Sequence, residues 1–385
     1  MIAIYITVRP EIASGLGWSL ERVYACLRRH LAQSGSGCGS ASDYTLATAC
    51  GHRGCGSALA ALANRVPNRF VVARNREELI VASYKLVTYA SPEGPRAGMV
   101  IGEQVCGAAE LTGQAADQTV LGILQDWTAA QERLAEAAAL PVVGQPLAAT
   151  KLLAPILWPS AIYCAGANYA DHAAEMARAS GRPPQPDPHT LGLKPWHFLK
   201  AGCSTLAAHG DTVQITGLSK TMDWEVELAA VIGRAARNVP LAEALDYVAG
   251  YTVANDLSAR DMGRRPAVPD TAPFKFDWVA HKNFDGSCPL GPWIVPSQDI
   301  PDPQRLGLKL WVNDVIKQDS HTSQMIFTLA EQIQHLSSRI TLQPGDVILT
   351  GTPAGVGAAR PEFLKAGDVV KLWIEKIGTL TNRMA

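Results

Sequence analysis

From Trp158 onward the chain breaks into short apolar runs separated by turn residues, the spacing of β-strands rather than of long helices. Asn313-Asp314 between "LKLWV" and "VIKQ" reads as the tight turn of a hairpin. Pro344-Gly345-Asp346 and Ala366-Gly367-Asp368 each lead into an apolar strand. One helix stands out at 323–338, where Met325, Leu329, Ile333 and Leu336 share a face and Ser323 is the expected N-cap. Upstream, 84–150 reads as a small unit. It has strands in "YKLVTYA" and "AGMVIGEQVCGAAEL", then a helical stretch at 119–139 and a strand-like linker from Pro141 to Ile156. The pattern predicts a β-rich α+β protein with three parts: 1–80, 81–150 and 151–385.

The first part differs in character. It holds a Gly/Ser/Cys stretch, "SGSGCGSASD", a single predicted helix at 19–33, and half of the eight cysteines. Cys50, His52 and Cys55 do not have the spacing of a zinc knuckle and lack a second ligand pair. "REEL" at 76–79 is what a purine-rich ribosome-binding sequence encodes, a few codons before Val81, so the functional chain is expected to begin near Val81. The opening "MIAIYITVRPEIASG" is a poor signal peptide, having no basic leader and a break at Arg9-Pro10.

A net charge of −1 provides no basic face for nucleic acid. No apolar run reaches the roughly 18–20 residues of a membrane span. Cys106, Cys164 and Cys203 sit in apolar segments, as reduced core cysteines do, so a cytoplasmic protein is expected.

Against this background "DWEVELAAVIG" (223–233) is anomalous. A strand-like apolar run carries Glu225 and Glu227, which alternation places on one face, opposite Trp224, Val226 and Leu228. Either they face water on an edge strand, or a cation sits between them. Four further stretches bear on that choice. "GYTVANDLSARD" puts Asp256 at a strand end, as a helix N-cap or in a cleft. "CAGANYADHAAEM" sets His172 and Glu175 three apart on a helix, either a solvated pair or a histidine oriented by a carboxylate. "AHKNFDGSCPLGP" carries Lys282. "ILTGTPAGVG" runs a strand into a Gly-rich loop with Thr352 that is neither a dinucleotide fingerprint nor a P-loop.

Together and in this order, "NYADH", "DWEVELAAVIG", "GYTVANDLSARD", "KNFDGSCPLGP" and "LTGTPAGVG" resemble the fumarylacetoacetate hydrolase (FAH) family, in its shorter, bacterial-type FAH-like members. The resemblance spans roughly 84–385. It implies an FAH-type mixed β-sandwich roll as catalytic domain with a small N-terminal α/β unit, assembled as a homodimer. It makes Glu225, Glu227 and Asp256 the ligands of a divalent cation. His172 with Glu175 becomes a water-activating dyad on a lid, and Lys282 the cationic stabiliser. Lys200 of "HFLKAG" and Thr352 become pocket residues; separately, the charge of an anionic substrate makes Arg178 or Arg182 a weaker candidate partner for its distal carboxylate. An all-carboxylate set selects a hard ion, Mg²⁺ first, then Mn²⁺, with Ca²⁺ a third choice.

Two departures narrow the expectation. Ala165 stands seven residues before His172, where fumarylacetoacetases carry a further metal-binding Asp, which points to a smaller substrate. The segment 262–281 is longer than usual and is expected to reshape the substrate mouth. The leading expectation is a hydrolase cleaving a C–C bond in a 2,4-dioxo acid of the acylpyruvate or fumarylpyruvate type, in aromatic or sugar-acid catabolism. The alternatives are an oxo-acid decarboxylase or a 2-hydroxyhepta-2,4-diene-1,7-dioate isomerase on the same site. A non-catalytic role ranks last, because both the His172–Glu175 pair and Lys282 are present.

Overall fold

The strand-forming runs identified above pair into two main sheets and one two-stranded ladder in a computed structural model, which describes residues 83–385 apart from positions 185, 216 and 218. The predicted helix at 19–33, the Cys50–His52–Cys55 group and the start near Val81 lie outside the described residues.

The order begins with a meander of β1 (Lys85–Ser91), β2 (Gly94–Ile101) and β3 (Gln104–Gly107). Helix α1 (Trp127–Ala138), strand β4 (Ile162–Ala165), helix α2 (Ala170–Ala179) and strand β5 (His197–Lys200) follow. Then come β6 (Val226–Ile232), β7 (Val248–Asn255) and β8 (Cys288–Pro296). The chain closes with the hairpin β9 (Gly307–Val312) and β10 (Val315–His321), helix α3 (Leu329–Arg339), β11 (Val347–Leu349), β12 (Val369–Ile374) and β13 (Gly378–Met384).

The large sheet runs β3–β2–β1–β8–β7–β6–β11–β4–β5, so the N-terminal meander joins the strands of the C-terminal part through the β1–β8 pair, Leu86 opposite Ile294. β11 and β4 are parallel, while β6 is antiparallel to both its neighbours, β7 and β11. The second sheet runs β10–β9–β12–β13, with Thr212–Val213 parallel to β13 at its edge. Asn313 and Asp314 both adopt positive φ (49° and 63°), the two-residue hairpin turn whose twist matches that of the flanking strands.

Alternation along β6 explains the layers. Val226, Leu228, Ala230 and Ile232 share a core with Leu308, Leu310, Leu372 and Ile374 of the second sheet. Ala229 and Val231 point the other way, into a core with Ile123, Trp127 and Leu134. Every residue of β6 is buried. It is an inner strand covered on both faces, so the edge-strand reading of Glu225 and Glu227 does not hold. The result is a sheet-on-sheet sandwich with a small helical layer, a β-rich α+β architecture as expected.

Two boundaries differ from those predicted. The helix at 323–338 begins only at Leu329, because Thr328 and Glu331 form a reciprocal capping box. Ser323 falls in a preceding 3-10 turn capped by His321. The stretch 119–139 is two helices, Val120–Gln125 and α1. Among the described residues no helix is long and apolar enough to cross a membrane.

Leu228 is fully buried between the two sheets. Leu228→Ala is expected to lower unfolding stability by about 2–5 kcal/mol. Denaturant titration measures this, and a loss below about 1 kcal/mol would contradict the packing described.

Candidate metal centre

β6 and β7 are neighbours in register, Val226 opposite Asn255, and the acids sit where both strands reach the same end of the sheet. Glu225 precedes β6, Glu227 is its second residue, and Asp256 follows β7. One carboxylate oxygen from each lies within 4.8 Å of the others, and all three side chains are buried. Asp256 therefore lines the cluster and caps no helix; the short helix Arg260–Gly263 starts after Ala259.

Three cations are packed among the acids. The Lys282 ammonium donates to Asp256 Oδ2 (2.6 Å) and Glu225 Oε2 (3.0 Å) and lies 4.9 Å from the Phe198 ring centroid. Arg260 donates to Asp223 Oδ2 (2.9 Å) and lies 2.7 Å from Glu225 Oε1, which also accepts from the Ser258 hydroxyl. Lys200 lies 2.9 Å from Asp256 Oδ1. That contact is an ion pair without hydrogen-bond direction, since Asp256 Oδ1 has no hydrogen-bond partner among the described residues. The Lys200 donors go to the carbonyls of Leu257, Lys282 and Ser287.

Burial and neighbouring charge oppose each other at Glu225 and Lys282 and act together at Glu227. Burial pushes Glu225 up, but Lys282 and Arg260, with hydrogen bonds from Lys282 and Ser258, prevail and hold it well below the usual carboxylate range. Glu227 has no such partner. Burial first, then Asp256 and Glu225, push it well above, against the more distant charge of Lys282 and one Gly351 N–H (2.6 Å). Lys282 is pulled down by burial but held above the usual lysine range by Asp256 and Glu225.

A divalent cation fits this donor set. The ligand atoms are hard oxygens, they converge, and Glu227 alone of the three has no cation in contact. Glu225, Glu227 and Asp256 are the residues that would hold it.

The other expected residues are distributed around this cluster. His172 stands on α2 within the field of Glu225 and Arg260. Burial lowers its pKa despite Glu225, leaving a neutral imidazole whose Nδ1 has no partner among the described residues. Glu175 shares the helix but accepts from Gly355 N–H (2.7 Å), with Arg360 at 4.0 Å. In this conformation the expected His172–Glu175 hydrogen bond is not made. Thr352 donates to Val226 O and accepts from Gln318, so its hydroxyl ties the Gly-rich loop to β6. Lys200 ties together backbone segments in the same way. Arg178 and Arg182 are exposed and are not brought to the cluster.

The long segment 262–281 folds on itself through an Arg264–Phe276 bridge and a bond from Asp277 N to Gly263 O. It ends in the helix Trp278–Lys282, which delivers Lys282 while Trp278 stacks on Phe198 at 5.0 Å.

Sequence reasoning missed Asp223, Arg260 and Ser258. Asp223 is buried and accepts from the N–H groups of Gly357 and Ala358 as well as from Arg260. Its signal was present: it opens the same Asp-x-Glu-x-Glu alternation, and Arg260 follows Asp256 by four.

Comparison with known proteins follows from this geometry. Residues 161–385 match the family described as fumarylacetoacetate (FAA) hydrolase, C-terminal. A mitochondrial oxaloacetate tautomerase of Homo sapiens is 37% identical over 311 residues, covering 78% of this chain and 91% of that relative. The structure of maleylpyruvate hydrolase from Sphingobium sp. SYK-6, with manganese(II) and pyruvate, aligns at TM-score 0.59 and 29% identity over 78% of this chain and 98% of that one. A 2-hydroxyhepta-2,4-diene-1,7-dioate isomerase from Mycobacterium marinum aligns at TM-score 0.56 and 31% identity over 79% and 98%.

Lys282→Met leaves Glu225 and Asp256 without their bridging cation. The metal-free variant is expected to lose about 3–5 kcal/mol of stability. Mn²⁺ should then raise its melting temperature by more than it raises that of the wild type. An equal Mn²⁺ shift in both proteins, measured by calorimetry, would contradict the charge balance described.

Proposed function

This chain belongs to the fumarylacetoacetate hydrolase family, and from that membership we propose that it is a divalent-metal-dependent tautomerase of a 2-oxo dicarboxylic acid of the oxaloacetate class. Mg²⁺ is the proposed ion, with Mn²⁺ as substitute. The observation that carries this reading is the division within the site. The acidic cluster and its lysine, which serve enolate chemistry, are assembled, whereas Glu175 is bonded to Gly355 and does not orient His172 for attack by water. The named activity of the 37%-identical relative, matched over 91% of its length, supports the same choice.

A divalent cation on Glu225, Glu227 and Asp256 supplies stabilisation of negative charge on the substrate's enolate oxygen. The residues of the chain supply the rest. Lys282 and Arg260 would place fixed positive charge near that oxygen among buried groups, where it acts strongly. His172, neutral and with Nδ1 unpartnered, is the group suited to take the enol proton. One proton leaves oxygen, one is delivered to the adjacent carbon, and neither water nor a C–C bond is consumed.

The second reading is the C–C hydrolase favoured by the sequence. It is supported by the same neutral His172 and by the likeness to maleylpyruvate hydrolase. If Glu175 moves from Gly355 to His172 when substrate binds, water activation becomes available on the same scaffold.

The loss of the enol form of oxaloacetate, followed by its ultraviolet absorbance with Mg²⁺ or a chelator, tests the proposal. Both Glu225→Gln and His172→Ala are expected to slow the protein-catalysed rate by about 100-fold or more. A rate indifferent to chelator and to Glu225→Gln would sink the tautomerase reading. Release of pyruvate from acylpyruvates faster than enol conversion would favour hydrolysis instead.

A further inference from the structure

The Gly351 N–H that holds Glu227 is one end of a peptide group whose other end is also held. A trans peptide is planar, with its C=O and N–H pointing in opposite directions, so fixing the oxygen fixes the direction of the hydrogen. Thr350 O, on the same peptide, accepts from Asn168 Nδ2 at 2.8 Å, while Gly351 N–H donates to Glu227 Oε2 at 2.6 Å. The approach is close: a Cβ on Gly351 would lie 2.8 Å from Asn168 Cβ, and Gly351 has φ +99°. Only glycine suits that position.

Asn168 is itself immobilised. It is buried, its Nδ2 also donates to Phe327 O (3.0 Å), and its Oδ1 accepts from Phe327 N–H (2.9 Å). Its own carbonyl accepts from Ile326 N–H at 2.7 Å. The preceding Ala167 adopts φ +50°, a conformation uncommon for a residue with a side chain, which turns the chain so that Asn168 enters this slot. A donor on Thr350 O also polarises the amide and strengthens its N–H as a donor.

We infer that Asn168 is a positioning residue for the metal centre: it orients the Thr350–Gly351 peptide so that the Gly351 N–H holds the Glu227 carboxylate toward Glu225 and Asp256. The inference rests on the reading that Glu227 is a metal ligand. It also gives "NYADH" a second role besides carrying His172, since the loop entering α2 and the Gly-rich loop after β11 are joined at this one amide.

The test is Mn²⁺ binding to the full chain, followed by the electron paramagnetic resonance of free Mn²⁺, with the melting temperature of the metal-free protein measured alongside. Asn168→Asp keeps the shape but turns a donor into an oxygen facing Thr350 O. Mn²⁺ affinity is expected to fall about 10- to 100-fold. Asn168→Ala, which buries no charge, should fall in the same range and serves if the first variant does not fold. A folded variant with wild-type Mn²⁺ affinity overturns the inference, even if its melting temperature is lower, because a merely structural residue would behave that way. If neither variant folds, nuclear magnetic resonance of the wild type decides. Mg²⁺ should shift both the Asn168 side-chain amide and the Gly351 N–H signals, and no shift in either overturns the inference. Failure of the wild type to bind Mn²⁺ would instead sink the metal assignment itself.

Discussion

The constraint on which this structure depends is charge balance in a dry place. Asp223, Glu225, Glu227 and Asp256 are all buried, and each ion taken out of water carries a penalty on the order of several kcal/mol. Against their four formal negative charges stand the three of Lys200, Lys282 and Arg260, leaving −1. The remainder falls on Glu227, the one acid of the four with no cation in contact, and its pKa is pushed up accordingly. The cluster tolerates burial only as a set. Its cations come from the end of β5, from the segment after β7 and from the helix that closes the long loop 262–281.

The sandwich holds the set in place because β6 is sealed on both faces. Its odd-numbered and even-numbered residues enter different cores, so a one-residue slip in register would exchange the two faces and move Glu225 and Glu227 out of reach of Asp256. The pairing of Val226 with Asn255 sets that register, and a hydrogen bond from Glu225 N to Asn255 Oδ1 adds to it just where the acids begin. The Gly-rich loop after β11 then closes the end of the strand: Thr352 binds Val226 O, Gly351 binds Glu227, and Gly357 and Ala358 bind Asp223.

What could be read from the sequence was what depends on short-range pattern. The alternation of "DWEVELAAVIG", the turn at Asn313-Asp314 and the ordered motifs foretold the β-rich fold and brought Glu225, Glu227, Asp256 and Lys282 into one discussion. What escaped depends on long-range geometry. Nothing in "HFLKAG" says that the Lys200 donors go to carbonyls from three distant positions, or that Thr352 is spent on the backbone of β6. Arg260 looks like any surface arginine until Asp223 and Glu225 are seen on either side of it. The true start of α3 was legible in Thr328 and Glu331, but the apolar spacing of Met325 drew the reading one turn too early.

The same balance bears on which reaction the site runs. The Lys282 ammonium now donates to the same two carboxylates, Glu225 and Asp256, that would hold a divalent cation, so the two positive charges would share those oxygens. A dication takes the cluster from −1 to +1, and a doubly charged oxo-acid returns it to −1. An anionic chelating substrate of the proposed class would therefore match the loaded site by charge, whichever bond is then changed. On the proposed reading, what would separate proton transfer from hydrolysis lies outside the cluster, in whether Glu175 stays on Gly355 or turns to His172. The two outcomes would then differ by one hydrogen bond on α2, worth about 1.5–3 kcal/mol for a charged acceptor.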